Sequence, residues 1–225
     1  MSGSIILIGT GGNALDALDV IEAINHRAPT WTVRGFLDDV RPRGSECAGL
    51  PILGSLEEAT RFEHHQFINV IGSDRSFRDR EAIIARTGLR EDQFATLIHP
   101  SASVSSRAQL DRGTLVNFGV SIAGNIKIGR HVALGAGCIL GHDTQVEDYV
   151  VIAPGAVISG AVRLGRSCYI GARAAIRQNL QIGECCLIGM GAVVLKDVRT
   201  WNTVVGIPAR PLESVRGHNK EHQCQ

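Results

Sequence analysis

Within Ile139–Gly160, ILGHDTQVEDYVVIAPGAVISG, one ionisable pair, His142 and Asp143, interrupts a background of aliphatic and small residues. An imidazole is the side chain suited to take a proton near neutral pH. A carboxylate beside it can fix its tautomer and stabilise the imidazolium that forms. The pair therefore suggests general-base chemistry. Neighbours on a straight strand face opposite ways, so His142 and Asp143 need a corner to cooperate, and Gly141 allows one. Glu147 and Asp148 are weaker local partners. The same residues would also suit a solvated corner histidine without chemistry. His99, before Pro100, reads as a packing or capping residue, and His131 as a solvated corner. His131 and His142 are eleven residues apart with no third histidine nearby, which argues against a three-histidine zinc site.

A second cluster lies near the start. Gly9-Thr10-Gly11-Gly12 follows the apolar run Ser4–Ile8 and precedes a segment with helical spacing of Ala14, Leu15, Leu18, Ile21 and Ile24. Such a turn leaves N–H groups at a helix N-terminus, suited to a phosphate or carboxylate. Asp38 and Asp39 close the next strand, where a ribose or base could be read. They follow too soon for a full dinucleotide fold, so a single nucleotide head fits better than NAD.

Both clusters need a scaffold, and the chain supplies two. Up to about Leu97 it alternates strands (4–8, 32–37, 67–71, 94–98) with helices (from Asn13, at Leu56–Ala59, and over Arg78–Thr87). This is the grammar of a small parallel sheet. From Val104 to Val194 every sixth residue is Val, Leu or Ile, sixteen in succession. The residues two places earlier are nearly all small or aliphatic, and glycine often follows the aliphatic. Neither helix nor flat strand has period six. A coil of very short strands with tight corners does, its aliphatics stacked inside and glycine at the corners. The expected architecture is an α/β, Rossmann-like domain over 1–98, a parallel β-helix over 99–212, and a disordered tail over 213–225.

Composition narrows the function. Net charge is +1, from 23 basic and 22 acidic residues, which gives no electrostatic reason to expect nucleic acid or an anionic membrane. The apolar run Ile5–Ile8 is too short for a signal core or a membrane span. The six cysteines form no CxxC pair, consistent with reduced, packed thiols in a cytoplasmic protein.

The chain resembles the hexapeptide-repeat sugar O- and N-acyltransferases, the family that includes sialic acid O-acetyltransferases and acetyltransferases of nucleotide-linked 4-amino sugars. The resemblance rests on Gly9–Asn13 with Val33–Asp39, His99–Ala102, Gly141–Asp143 with Ile152–Gly155, and the closing Gly191–Asp197 and Val205–Arg210. It implies a left-handed coil, a homotrimer, acetyl-CoA as donor, no metal, and His142 as the base with Asp143 orienting it, in a cleft between subunits. Acyl-CoA would lie along the coil against Gly160, Ala161, Gly171, Ala172, Gly189 and Met190, with Lys196 and Arg210 meeting its phosphates. A UDP-, dTDP- or GDP-linked amino sugar would be held by Gly9, Thr10, Gly11, Gly12, Asn13, Asp38 and Asp39, its product feeding a surface glycan. The rival acceptor is a sugar hydroxyl, as on a sialic acid. A non-catalytic β-helix binding protein is the rival of another class, and His142 argues against it. Three positions depart from the family pattern. Val151 stands where relatives often carry histidine, Gly135 where they carry asparagine, and Asn13 where many carry histidine.

Overall fold

A computed structural model describes residues 3–212. The expected tail, 213–225, lies outside the described residues. The first domain is built on the parallel strands β1 (Gly3–Ile8), β2 (Trp31–Leu37), β4 (Leu50–Gly54) and β5 (Gln66–Asn69), with the short β3 (Glu46–Cys47) antiparallel at one edge. The strand order is β3-β4-β2-β1-β5. β1 lies between β2 and β5 and is buried on both faces. Ile5 and Leu7 pack toward helix α1 (Asn13–Arg27), while Ile6 and Ile8 pack with Leu56, Phe67 and Ile84 on the other side. A strand covered on both faces has to be a continuous apolar run, as Ile5–Ile8 is.

Two details depart from the sequence reading. Helix α1 turns Ala14, Ala17, Val20 and Ile21 inward, while Leu15 is exposed. The small residues of that stripe let the helix lie close on the sheet. The expected fourth strand, 94–98, is not a strand of this sheet. Phe94 makes a lone parallel bridge to Phe67, and Leu97–Ile98 pairs with Leu115–Val116 as the first rung of the coil. The domains are therefore continuous at the backbone level, and they share a core through Leu115 and Tyr149.

The coil is a three-sided prism. Two-residue strands stack in parallel on three faces, each pairing with the strand eighteen residues on, as Ile139 with Val157, Gln145 with Arg163, and Val151 with Tyr169. The sixth-residue aliphatics fill the interior, fully buried from Val116 to Val194. The corners work differently from the expectation. The glycine after the aliphatic does not take the left-handed conformation. It permits close approach of the next coil. A Cβ at Gly165 would lie 2.7 Å from the Glu184 nitrogen, and one at Gly141 2.6 Å from the Gly160 nitrogen. The left-handed residue comes two places later and is often not glycine. Asn125, His131, Asp143, Tyr149, Ala161, Ser167, Arg173, Asn179 and Cys185 all have φ between 51° and 63°. Each such residue costs on the order of 1–2 kcal/mol, and the interior stacking offsets it.

Ion pairs and a buried cation fix the first domain on the prism. Glu91 pairs with Arg130 at 3.1 Å, Glu81 with Arg166 at 2.7 Å, and Asp148 receives both arginines. Arg80, in helix α2 (Arg80–Arg86), is 1% exposed, and its guanidinium donates to the carbonyls of Ile71 and His131. Burial pushes its pKa down to about 10. His131 is not the solvated corner expected. It is fully buried, stacked on Tyr149, edge-on to Phe94, and its Nε2 lies 3.2 Å from Glu91. Docking of the first domain over this corner is what buries it.

Two outcomes follow. In urea denaturation Gly165→Ala should cost about 3 kcal/mol by overpacking against backbone, whereas Gly137→Ala, left-handed but facing open space, should cost about 1 kcal/mol. Burial, opposed by Glu91, holds the His131 pKa below its ordinary value. The unfolded chain thus binds this proton more readily, so this contribution is lost as pH falls below about 6.5. His131→Gln should flatten that decline in urea midpoints measured over the acid range. An unchanged slope would contradict the assignment.

Candidate active site

His142 and Asp143 sit at a corner between two faces of the prism. Asp143 is itself the left-handed residue, with φ of 61°. That bend brings adjacent side chains together, and Gly141, expected to make the corner, only admits the next coil. His142 Nδ1 lies 2.7 Å from Asp143 Oδ2, and the Asn125 amide donates to Asp143 Oδ1. The His142 hydrogen bond, followed by that of Asn125, holds the Asp143 carboxyl below its ordinary pKa. An ionised carboxylate only accepts. Nδ1 therefore carries the hydrogen, and Nε2 presents a lone pair. The imidazole, with 74% of its side chain exposed, lies over Gly160, where a Cβ would come within 2.8 Å of Nε2. Asn125 was not anticipated from the sequence. Its signal was available, since it stands one coil, eighteen residues, before Asp143.

The predicted donor-site residues divide between two edges and one end. Gly160 and Ala161 follow His142 by one coil on the same edge, and the Ala161 N–H donates to the His142 carbonyl. The N–H groups of Ser159 and Ala161 are taken up by backbone carbonyls. That of Gly160 enters no backbone hydrogen bond among the described residues. Gly171 with Ala172, and Gly189 with Met190, lie on a different edge, and Met190 is exposed. Lys196 and Arg210 line a hollow of about 450 Å³ at the end of the coil, together with Arg199.

At the other end of the chain, Gly11 and Gly12 open onto free space at the start of α1. Gly9 has φ of 99° and packs against Ile71. The Thr10 hydroxyl donates to Asp38 Oδ2 at 2.6 Å, and the N–H groups of Val40 and Arg41 donate to Asp38 Oδ1. Burial raises the Asp38 pKa, but the Thr10 and backbone hydrogen bonds outweigh it and hold the carboxyl low. Asp39 accepts from the Leu56 N–H and pairs with Arg86 at 2.9 Å, so its carboxylate is committed within the fold. Asn13 donates to the carbonyls of Gly72 and Val70.

Between the domains lies a cavity of about 90 Å³. Asn13, Gly135 and Val151, the three departures noted in the sequence, all line it, with Asp16, Asn69, Asn117, Pro154 and Tyr169. Gly135 is held as glycine by the fold, since a Cβ there would lie 2.6 Å from the Pro154 nitrogen. Asp16, Asn69 and Asn117 were missed because nothing in the periodicity marks them. They converge only when the first domain docks. Among the described residues no group of three or more His, Cys, Asp or Glu is placed to hold a metal. No helix of the described residues is long and apolar enough to cross a membrane.

Residues 125–160 match the model of the bacterial transferase hexapeptide (six repeats). No curated protein matches the chain. Among solved structures, the acetyltransferase domain of PglB from Neisseria gonorrhoeae FA1090, in complex with acetyl coenzyme A, is 29% identical. That similarity covers 94% of this chain and 100% of the other, with a TM-score of 0.80. A mutant perosamine N-acetyltransferase from Caulobacter crescentus, in complex with CoA and GDP-perosamine, is 25% identical over 93% of this chain and 97% of its own, with a TM-score of 0.80. WeeI from Acinetobacter baumannii AYE is 26% identical over 94% and 100%, with a TM-score of 0.77. Residues 125–160 thus carry the bacterial transferase hexapeptide repeat, and nearly the whole chain shares the fold of these acetyltransferases.

Proposed function

We propose that the chain transfers the acetyl group of acetyl-CoA to the amine of a nucleotide-linked amino sugar, with His142 as general base. The observation that carries this is the Nδ1 hydrogen bond to Asp143, which leaves Nε2 free over the Gly160 corner. The amine nitrogen attacks the thioester carbonyl carbon while Nε2 takes its proton. The Gly160 N–H, without a backbone acceptor, is suited to the oxyanion. Collapse of the tetrahedral intermediate breaks the C–S bond, and the imidazolium returns the proton to the departing thiolate. The acetyltransferases of similar fold support the donor and acceptor classes. The PglB domain is described with acetyl coenzyme A, and the perosamine enzyme with CoA and GDP-perosamine. A cytoplasmic setting accords with both substrates.

A homotrimer is the assembly we infer. The three faces of the prism differ. One is covered by the first domain at Leu115 and Tyr169. One presents Gln109, Lys127, Gln145, Arg163 and Gln181 to solvent. The third presents Ser103 and Ser121 at its start and then an apolar stretch, Ile139, Val157, Ala175 and Val193, with Ile139 and Val157 exposed. Only this last face is apolar and uncovered, and a ring of three copies would bury it. It is bordered on one side by the His142 edge and on the other by the edge carrying Gly135, Pro154, Gly171 and Gly189. Closure would bring the base of one copy beside the interdomain cavity of the next. The nucleotide would extend from that cavity toward Gly9–Asn13 and Asp38.

His142→Ala should lower kcat by roughly 100-fold or more, and Asp143→Asn by about tenfold, with melting temperatures unchanged because both side chains are exposed. Turnover by His142→Ala at the wild-type rate would sink the mechanism. Ile139→Glu should yield monomers by light scattering and lose activity while keeping the β signal in circular dichroism. A trimeric, active Ile139→Glu protein would rule out this face as the contact.

A further inference from the structure

The interdomain cavity is furnished asymmetrically. Of the residues lining it, only Asp16 carries a charge, and Tyr169 is the only other titratable group. No Lys, Arg or His faces into it. Asp16 sits in the first turn of α1, and no ion pair engages it among the described residues. Asp19, one turn further along the helix, is another carboxylate. Burial, then repulsion from Asp19, raises the Asp16 pKa. Asp16 is exposed at the start of the helix, so water rather than a side-chain cation meets its charge until a ligand arrives.

Asn69, at the carboxyl end of β5, supplies an independent sign. It is 1% exposed and lines the same cavity. Its Oδ1 accepts from the Ile71 N–H at 2.9 Å, which fixes the orientation of the amide. Its Nδ2 is consequently a buried donor with no acceptor among the described residues. A buried donor left unmet is destabilising, so a ligand acceptor placed there would be favoured. The cavity is many times the ~10–15 Å³ that one water centre requires, so a ligand atom can reach these groups. One unpaired anion and one unmet donor are complementary to a ligand bearing a cation beside a neutral oxygen.

We propose that Asp16 is a specificity-determining residue that holds the acceptor's ammonium, while Asn69 Nδ2 donates to a neighbouring sugar oxygen. Asp16 thus selects amino sugars over their hydroxyl counterparts. A hydroxyl group could accept from Asn69 but would leave Asp16 without a counter-charge. This rests on the acetyltransferase reading above. The group bound by Asp16 is the protonated acceptor. Loss of one proton to solvent frees the amine for attack and leaves His142 neutral to take the second, so Asp16 acts on capture and not on bond formation.

The test is steady-state kinetics on the full-length protein with acetyl-CoA and a panel of UDP-, dTDP- and GDP-linked 4-amino sugars, each beside its 4-hydroxy counterpart. With whichever amino sugar the wild type acetylates, Asp16→Asn should raise KM about tenfold with a much smaller change in kcat, and Asp16→Glu should recover part of the loss. The wild-type KM should rise as pH passes the amine's own pKa, and the Asp16→Asn KM should stay flat. A merely structural role at the start of α1 would move the melting temperature and leave that pH profile intact. An unchanged KM in Asp16→Asn, or one raised equally at every pH, overturns the proposal while the acetyltransferase reading stands. No transfer by wild type to any member of the panel overturns both.

Discussion

Eighteen residues separate neighbouring strands of the coil from Leu97 to Val194, and the rest of the molecule depends on that spacing being kept. The interval is held by two devices with different physics. A glycine one place after the buried aliphatic lets the next coil pass within contact distance of its backbone. A left-handed residue two places later turns the chain onto the next face. Where that glycine occurs no side chain fits, whereas the left-handed position only disfavours one and carries Asn, His, Asp, Tyr, Ala, Ser, Arg or Cys. Asp143 occupies such a position, and so do His131 and Tyr149. The prism thus presents chemistry and domain contacts at positions its core does not use.

Those two uses lie on different edges. On one, His131 and Tyr149 are roofed by Phe94, Arg80 and Glu91 of the first domain. On another, His142 and Asp143 face outward. The buried guanidinium of Arg80 joins the carbonyl of Ile71, where β5 leaves the sheet, to the carbonyl of His131 on the prism. Removing such a cation leaves two buried carbonyls unpaired, so the contact is expensive to break. It fixes the width of the cleft, and with it the distance between Asn69 and the coil residues opposite.

Much of this was legible in the residues. The sixteen-step aliphatic row specified the coil and its interior, and β1 was plain because its run has no polar interruption. His142 and Asp143 were visible as exceptions within the row. What escaped had no local signature. His131 looks like any corner histidine until another domain covers it. Phe94–Ile98 has strand composition, but its partners lie on two different sheets. Asp16, Asn69 and Asn117 come from three segments far apart in the chain, and only docking brings them to one cavity. Glycine at the corners was expected either for want of room or for its φ; Gly141 serves the first, and Asp143, not glycine, makes the bend.

The stacking interval also acts as a reading frame. A single residue inserted or deleted between Val116 and Val194 would rotate every later side chain out of the core, unless the change were looped out at a corner. A duplicated or deleted block of eighteen would keep each residue on its face and move it one storey along the axis. Evolution of length in such a chain is therefore quantised, and the base and its carboxylate survive it as long as both stay on one storey. The first domain has no such freedom, since Glu81 and Glu91 are pinned to arginines on fixed storeys.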